Sequence, residues 1–240
     1  MLQLVIRDGG RHSITHLVKN LDIPNATVYR LLATLTEQGL LQPARRGHYI
    51  AGPGLLSLTP YLQPSHIAAE LARKSLSSLA ASSGAIVHMG MLEDDMVTYL
   101  VKEGRGNDQL FTREGMQLEA YCTGIGKVLL AGLPPDQQSQ YLANGPFVAL
   151  TPNTTVDVNT LRAELEKVKD QRFAVDNREI SPDLYCLAVP VPSNESAISL
   201  GISVSRLGGE VDQSNDAVLI ASMYKTANEI ADILSRDGAT

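Results

Sequence analysis

The sequence predicts an α+β protein in two parts: a small helical head closed by a β-hairpin, and a larger body in which an antiparallel sheet is flanked by helices. Three observations predict this. Apolar residues recur at i, i+3, i+4 and i+7 twice within residues 13–37, and a glycine-marked hairpin follows. The composition then shifts at GPGLLSLTPYLQPS, where glycine and proline bracket a short apolar segment. Beyond it, strand pairs joined by short turns alternate with helices. The expected boundaries are a head at 1–52, a linker with a brief helix at 53–66, and a body at 67–240.

In order, LQLVIRDGG reads as a first helix ended by Gly9 and Gly10. SITHLVKN follows, with Ser13 as N-cap and Ile14, Leu17, Val18 and Leu21 on one face. Leu21, Asp22 and Ile23 form the turn. Pro24 suits the first turn of the next helix, where a missing N–H costs nothing. There Val28, Leu31, Leu32 and Leu35 repeat the apolar spacing until Gly39 stops the helix. PARRGHYIAG makes a two-stranded hairpin turning at Arg46 and Gly47. The order helix, tight turn, helix, hairpin is that of a winged helix-turn-helix.

In the body, HIAAELARKSLSSLAASSG is helical, with Ile67, Leu71, Leu76 and Leu79 directed to a core. AIVHMGML and MVTYLVKEG are strands around an acidic turn at Glu93, Asp94 and Asp95. CTGIGKVLLAGL is a loop entering a helix, separated by Pro134 and Pro135 from DQQSQYLAN. VDVNTLRAELEKVKDQR is an amphipathic helix. FAVD, LYCLAVPV and AISLGISVSR are strands, and VDQSNDAVLIASMYKTANEIADILSRD is a long closing helix.

Composition narrows the function. The 240 residues are 44% hydrophobic and 19% charged, and no run of 18 apolar residues could span a bilayer. The N-terminus lacks the features of a signal peptide. Two cysteines argue against a disulfide scaffold and fit a reducing cytoplasm. Net charge is −6, but it is unevenly placed: residues 1–60 carry +3 and residues 61–240 carry −9. A mildly basic head on an acidic body is compatible with a local phosphate-binding face.

The stretch IPNATVYRLLATLTEQGLL, residues 23–41, carries the sharpest functional signal. Opposite its apolar stripe lie small residues and hydrogen-bond donors. In a helix-turn-helix, the N-terminal half of the second helix enters the major groove. Asn25, Ala26, Thr27, Tyr29 and Arg30, with Thr34 at the flank, supply close approach and donors. Arg30 can fork onto guanine or hold a phosphate. Arg45 and Arg46 at the hairpin tip sit where a wing meets the DNA backbone. A helical pair with a solvated polar face reads the same way in pattern alone.

These residues resemble the IclR family of bacterial transcriptional regulators. Where that family reads like LPKSTVHRLLATLVEHG, followed by a Y-x-L-G wing strand, this chain has IPNATVYRLLATLTEQG and HYIAG. A family segment like H-A-T-A-x-G-K-A-LLA-LP is matched by YCTGIGKVLLAGLP at 121–134. G-Y/F-x-x-D-x-E-x-x-x-G-x-x-x-I/L-A-x-P-V is matched by FAVDNREISPDLYCLAVPV at 173–191. A final strand like ALSVSGP is matched by GISVSR at 201–206. The family's usual histidine is Tyr121 here, and its usual glycine after the acidic segment is Asp183 or Leu184. The resemblance implies a GAF-like effector-binding body and a regulator, expected to be a repressor, that binds double-stranded operator DNA as a homodimer or tetramer. It also implies an effector pocket built from Gly124, Ile125, Asp176, Cys186, Ser203 and Ser205, with Leu110, Phe111 and Leu118 as apolar wall, although core packing explains these three equally well.

The residues themselves bear on that pocket. TGIGK is not a Walker A loop, which would need glycine at 121 and Ser or Thr at 128, where Tyr121 and Val128 stand. Gly124 and Gly126 at a helix start leave backbone N–H groups free for a small carboxylate or carbonyl oxygen; tight loop-to-helix packing is the alternative. Ser203 and Ser205, two apart, share one face of a strand. Asp176 is either a ligand acceptor or an ordinary turn cap. Cys122 and Cys186 allow a redox pair or a nucleophile with His88 as base, but small buried thiols are the simpler reading. His12 and His16 are four apart, but Ser13 as N-cap leaves His12 outside the helix, and Gly9 and Gly10 break any helical face that Asp8 and His12 could share. Solvated histidines, or His12 near a phosphate, are expected rather than a metal site. Glu164, Glu166, Lys167 and Lys169 read as an exposed helix face. No cofactor and no catalytic residue is expected. The rivals to a DNA-binding regulator are a cysteine enzyme and a ligand sensor whose head binds protein.

Overall fold

The computed structural model describes residues 1–104, 110–192, 198–208 and 213–235. Ala197, Val211, Asp212, Arg236 and Asp237, the outer ends of one expected strand and of the closing helix, lie outside the described residues. Contacts divide the chain into Met1–Gln63 and Pro64–Thr240.

The first unit contains α1 (Leu2–Asp8), α2 (Ile14–Leu17), α3 (Asn25–Glu37), the hairpin β1 (Leu41–Arg45) and β2 (His48–Ala51), α4 (Pro53–Leu58) and a 3₁₀ turn at Thr59–Tyr61. Gly9 caps α1 in the left-handed conformation that glycine adopts without a Cβ clash. Helix α2 is shorter than its apolar spacing predicts. After Leu17 the backbone tightens into i→i+3 bonds, Lys19 N to His16 O and Leu21 N to Val18 O. Leu21 is therefore exposed rather than on a helical core face. Pro24 stands at the N-cap of α3, one residue ahead of the helix.

Six residues form the fully buried core of this unit: Val5, Ile14, Val18, Val28, Leu32 and Leu41. Leu31 departs from expectation, being 40% exposed. A core this small covers only a narrow strip of α3. Val28 and Leu32, one turn apart, fill it, with Leu35 half-buried beside them.

The second unit contains α5 (Pro64–Ser83), β3 (Ile86–Glu93), β4 (Met96–Glu103), β5 (Gln117–Glu119), α6 (Gly124–Ala131), α7 (Pro135–Ala143), α8 (Val158–Gln171), β6 (Ala174–Asn177), β7 (Leu184–Pro190), β8 (Leu200–Leu207) and α9 (Asp216–Ser235). The short strand β5 carried no periodic signal. Six strands form one antiparallel sheet in the order β5-β4-β3-β8-β7-β6. Asp94 and Asp95 both have positive φ in the β3–β4 turn, as a tight hairpin of that twist requires.

Strand alternation sorts the sheet residues into two cores. Val87, Met89, Leu187, Val189, Ile202 and Val204 pack with α5 and α9. Helix α5 does so through Ala68, Ala69, Ala72, Leu76, Leu79 and Ala80, whereas Ile67 and Leu71, expected inward, are 44% and 47% exposed. Small residues on the inner face let α5 and α9 approach closely, so the bulky ones turn outward. On the opposite sheet face, α6 lies so close that its strand partners are small. A Cβ on Gly201 would sit 3.1 Å from Ile125 Cγ2 and 3.2 Å from Val128 Cγ2, and one on Gly124 would sit 3.0 Å from the Ala188 Cβ.

Candidate DNA interface and effector site

In the first unit, Asn25, Ala26, Tyr29, Arg30 and Thr34 are exposed along α3, and Thr27 is half-buried. Thr34 Oγ1 donates to Arg30 O at 3.2 Å, so its hydroxyl is turned back onto its own helix. Arg45 and Arg46 are exposed at the hairpin turn, where Gly47 has φ +72. That turn is held from behind: Ile14 N donates to Gly47 O at 2.7 Å, and His48 Nδ1 lies 3.1 Å from Gly10 O. Both arginines are thus exposed on an anchored loop, and Arg45 Nη2 donates to Arg11 O at 3.5 Å.

Gly9 and Gly10 end α1, so Asp8 and His12 share no helical face, yet the two residues meet. Both glycines are left-handed, and together they reverse the chain. His12 N then donates to Asp8 Oδ2 at 2.9 Å, and its Nδ1 lies 2.6 Å from Asp8 Oδ1. The backbone N–H of His12, then its ring, hold the Asp8 carboxyl below its ordinary range. The His12 and His16 rings stack 4.7 Å apart. Among the described residues, no His, Cys, Asp and Glu group suited to a metal occurs.

In the second unit, sheet register gathers the expected effector residues into two rows on the α6 face. One row runs Asp176, Cys186, Ser205, Ile86; the next runs Ala188, Ser203, His88, Lys102. Every one of these side chains is buried. Cys186 Sγ lies 3.2 Å from Ser205 Oγ, which lies 3.4 Å from His88 Nδ1, and His88 Nε2 lies 2.9 Å from Thr112 Oγ1. Lys102 Nζ donates to the carbonyls of Leu110 and Thr112. Leu110 packs with Ile86, Leu184 and Cys186. Gly124 and Ile125 roof this face.

Burial governs the chemistry. It pushes the Asp176 carboxyl up to about 7, partly offset by the Glu179 N–H, which donates to Oδ1 at 2.7 Å. Asp176 is thus a turn cap in the resting geometry. Burial, then the Lys102 charge, brings His88 down to about 3, so its ring is neutral at physiological pH. Burial drives Cys122 up to about 12 and Cys186 well above a thiol's ordinary value. Such thiols are poor nucleophiles, and a nucleophilic cysteine needs the opposite environment.

Three expected features are not found as predicted. Leu118 lies on the outer strand β5, opposite Val97 and apart from Leu110, and Phe111 is 52% exposed. Gly126 does not offer a free N–H: Thr123 Oγ1 accepts it at 3.2 Å, and a Cβ at 126 would sit 2.1 Å from Ala120 O, so packing requires glycine there. Glu164 is not part of a purely solvated face. It bonds at 2.6 Å to Lys127 Nζ, which is fully buried and also pairs with Glu179. Sequence reasoning missed Lys102 and Thr112 altogether and weighed His88 only as a base. The signal for His88 was present: one polar residue at an inward position of the apolar strand IVHMGML.

The model of the IclR helix-turn-helix domain matches residues 1–45, and that of the bacterial transcriptional regulator IclR C-terminal domain matches residues 59–232. The chain is 30% identical over 223 residues to the transcriptional regulator KdgR of Escherichia coli, covering 91% of this chain and 84% of that protein. It is 27% identical over 235 residues to an HTH-type regulator of the same organism, RhmR, covering 98% and 90%. Among solved structures, the repressor BlcR of Agobacterium tumefaciens superimposes with a TM-score of 0.67 at 25% identity, covering 97% and 93%. The IclR protein of Thermotoga maritima gives 0.67 at 24% identity, covering 97% and 95%.

Proposed function

The chain belongs to the IclR family of bacterial transcriptional regulators, and on that premise we propose how its two units divide the work. It is a DNA-binding regulator with a C-terminal effector domain. The N-terminal half of α3 enters the major groove, with Arg30 and Asn25 at base edges and Thr27 and Tyr29 at phosphates. Arg45 and Arg46 contact the flanking backbone. The observation that carries this reading is the exposed row Asn25, Tyr29 and Arg30 on a helix whose opposite side is anchored by Val28 and Leu32.

The protein acts as a cytoplasmic homodimer or dimer of dimers, because two heads read half-sites about 34–36 Å apart on a pseudo-symmetric operator. Its effector is a small carboxylate or carbonyl compound, held by Ser203, Ser205 and Asp176 with Cys186, Gly124, Ile125 and Leu110 around it. His88 joins this set through its bond to Ser205, and Thr112 through its bond to His88. Binding there shifts operator affinity by coupling of about 1–3 kcal/mol. We assign it as a repressor, with support from two relatives that bear that word, BlcR and the AllR repressor of Salmonella typhi, the latter 26% identical. No turnover is assigned to either cysteine.

The test is an operator titration against salt. Parent protein loses affinity steeply as salt rises, and Arg30→Ala with Arg45→Ala flattens that slope. A double variant that binds as tightly as the parent, with the same slope, removes the head assignment. For the body, thermal-shift screening of the full chain against small carboxylates and aldehydes finds the effector, since a native-state ligand raises stability. Unchanged affinity for that hit in Ser203→Ala with Ser205→Ala removes the pocket assignment.

A further inference from the structure

A cleft of about 450 Å³ opens in the second unit where the C-terminal ends of α6 and α8 meet neighbouring ends of β7 and β8. It shares no lining residue with the effector set above. Leu133, Pro190, Val191 and Leu200 give it apolar walls. Lys169 and Arg172 also line it, and among its described lining residues there is no Asp or Glu. Two cations in one cleft stand out in a part of the chain that carries a net −9.

The backbone at Arg172 adds a second observation. This residue caps α8 with φ 65 and ψ 14, a left-handed conformation that glycine fills at no steric cost and other residues only with strain. Its main chain is used locally: its N–H donates to Val168 O at 2.7 Å, and its carbonyl accepts from Tyr224 Oη at 2.7 Å. Neither bond needs an arginine side chain. The guanidinium is therefore present at a backbone cost, exposed beside an apolar cleft of a size that suits small molecules.

We propose that this cleft is a second small-molecule site, separate from the effector pocket, and that it takes an amphipathic monocarboxylate. The alkyl or aryl body lies between Leu133, Val191 and Leu200. The carboxylate meets the planar fork of Arg172, which matches its two oxygens, with Lys169 as a second cation. This site stands whether or not the effector reading holds.

Calorimetry on the full chain with decanoate tests it. The expected result is saturable binding of one decanoate per chain, weakened at least tenfold in Lys169→Gln with Arg172→Gly and unchanged in Ser203→Ala with Ser205→Ala. Glycine at 172 relieves the left-handed residue, so the double variant melts at or above the parent's thermal midpoint and its loss of binding is not unfolding. Decanol, with the same chain and no charge, binds parent and double variant alike. No saturable binding of decanoate, equal affinity in the charge-removed variant, or loss of binding in the serine variant each overturns the proposal.

Discussion

The two units of this chain treat polar residues in opposite ways. The first keeps a six-residue core and turns Asn25, Tyr29, Arg30, Arg45 and Arg46 outward. The second turns Asp176, His88, Ser203, Ser205 and Lys127 inward, where nearly every one finds a partner. A duplex is a large polyanion whose phosphates stay hydrated until contact, so donors that read it must be solvent-exposed. A small ligand offers few atoms, so discrimination needs desolvated groups whose bonds are strong because water is absent. On the proposed reading, exposed and buried polarity are two solutions to recognition at two scales.

The contrast can be broken most forcefully at Lys127. Lys127→Met strips the cation from Glu179 and Glu164 and should destabilise the second unit by about 3–5 kcal/mol, read by denaturant melts of the full chain. A loss below about 1 kcal/mol would mean the triad is not the buried network described. In the first unit the matching lever is apolar. Leu32→Ala should cost about 2–5 kcal/mol and abolish operator binding, while melting of the second unit stays at the parent's midpoint.

A middle-sized effect concerns pH. The Asp176 pKa is raised on folding, so the unfolded state gives up this proton first and stability falls as pH rises from about 4 to about 7. Asp176→Asn, which keeps the acceptor for Glu179 N, should stabilise the protein at pH 8 and lose that advantage by pH 4. His88 has the reverse sign: its folded pKa is depressed to about 3, so stability falls as pH drops below about 6.5. His88→Gln should flatten that acid limb in thermal melts, and an unchanged limb would assign it elsewhere. The smallest expected effect sharpens the packing of the first unit. Leu31→Ala should change stability by no more than about 0.5 kcal/mol, against the severe loss at Leu32, although both leucines fit the same helical stripe.

That pair shows how far a pattern reaches. The spacing of Val28, Leu31, Leu32 and Leu35 located α3 and its core side within a residue, yet it could not say how wide a strip the other elements would cover. The hairpin at Arg46 and Gly47 was legible because a positive-φ glycine in a two-residue turn is a local requirement. The serine pair was legible because period two is local. Lys127 and Glu164 were opaque: they stand 37 residues apart on two helices, and each alone reads as a solvated charge. The Asp8–His12 contact was opaque for a related reason, since two glycines that break a helix can also fold the chain back on itself.

Amino-acid order alone determined what depends on neighbours within a few positions: the helices, the hairpin turns, the two-part layout and the face of α3 that carries donors. Three-dimensional packing decided what depends on distant residues becoming adjacent. It set which leucines lie under cover, which charges share a buried site, and how far burial displaces the acidity of Asp176 and His88. Desolvation and Coulomb attraction act through space, and the spacing of letters along a chain does not record those distances.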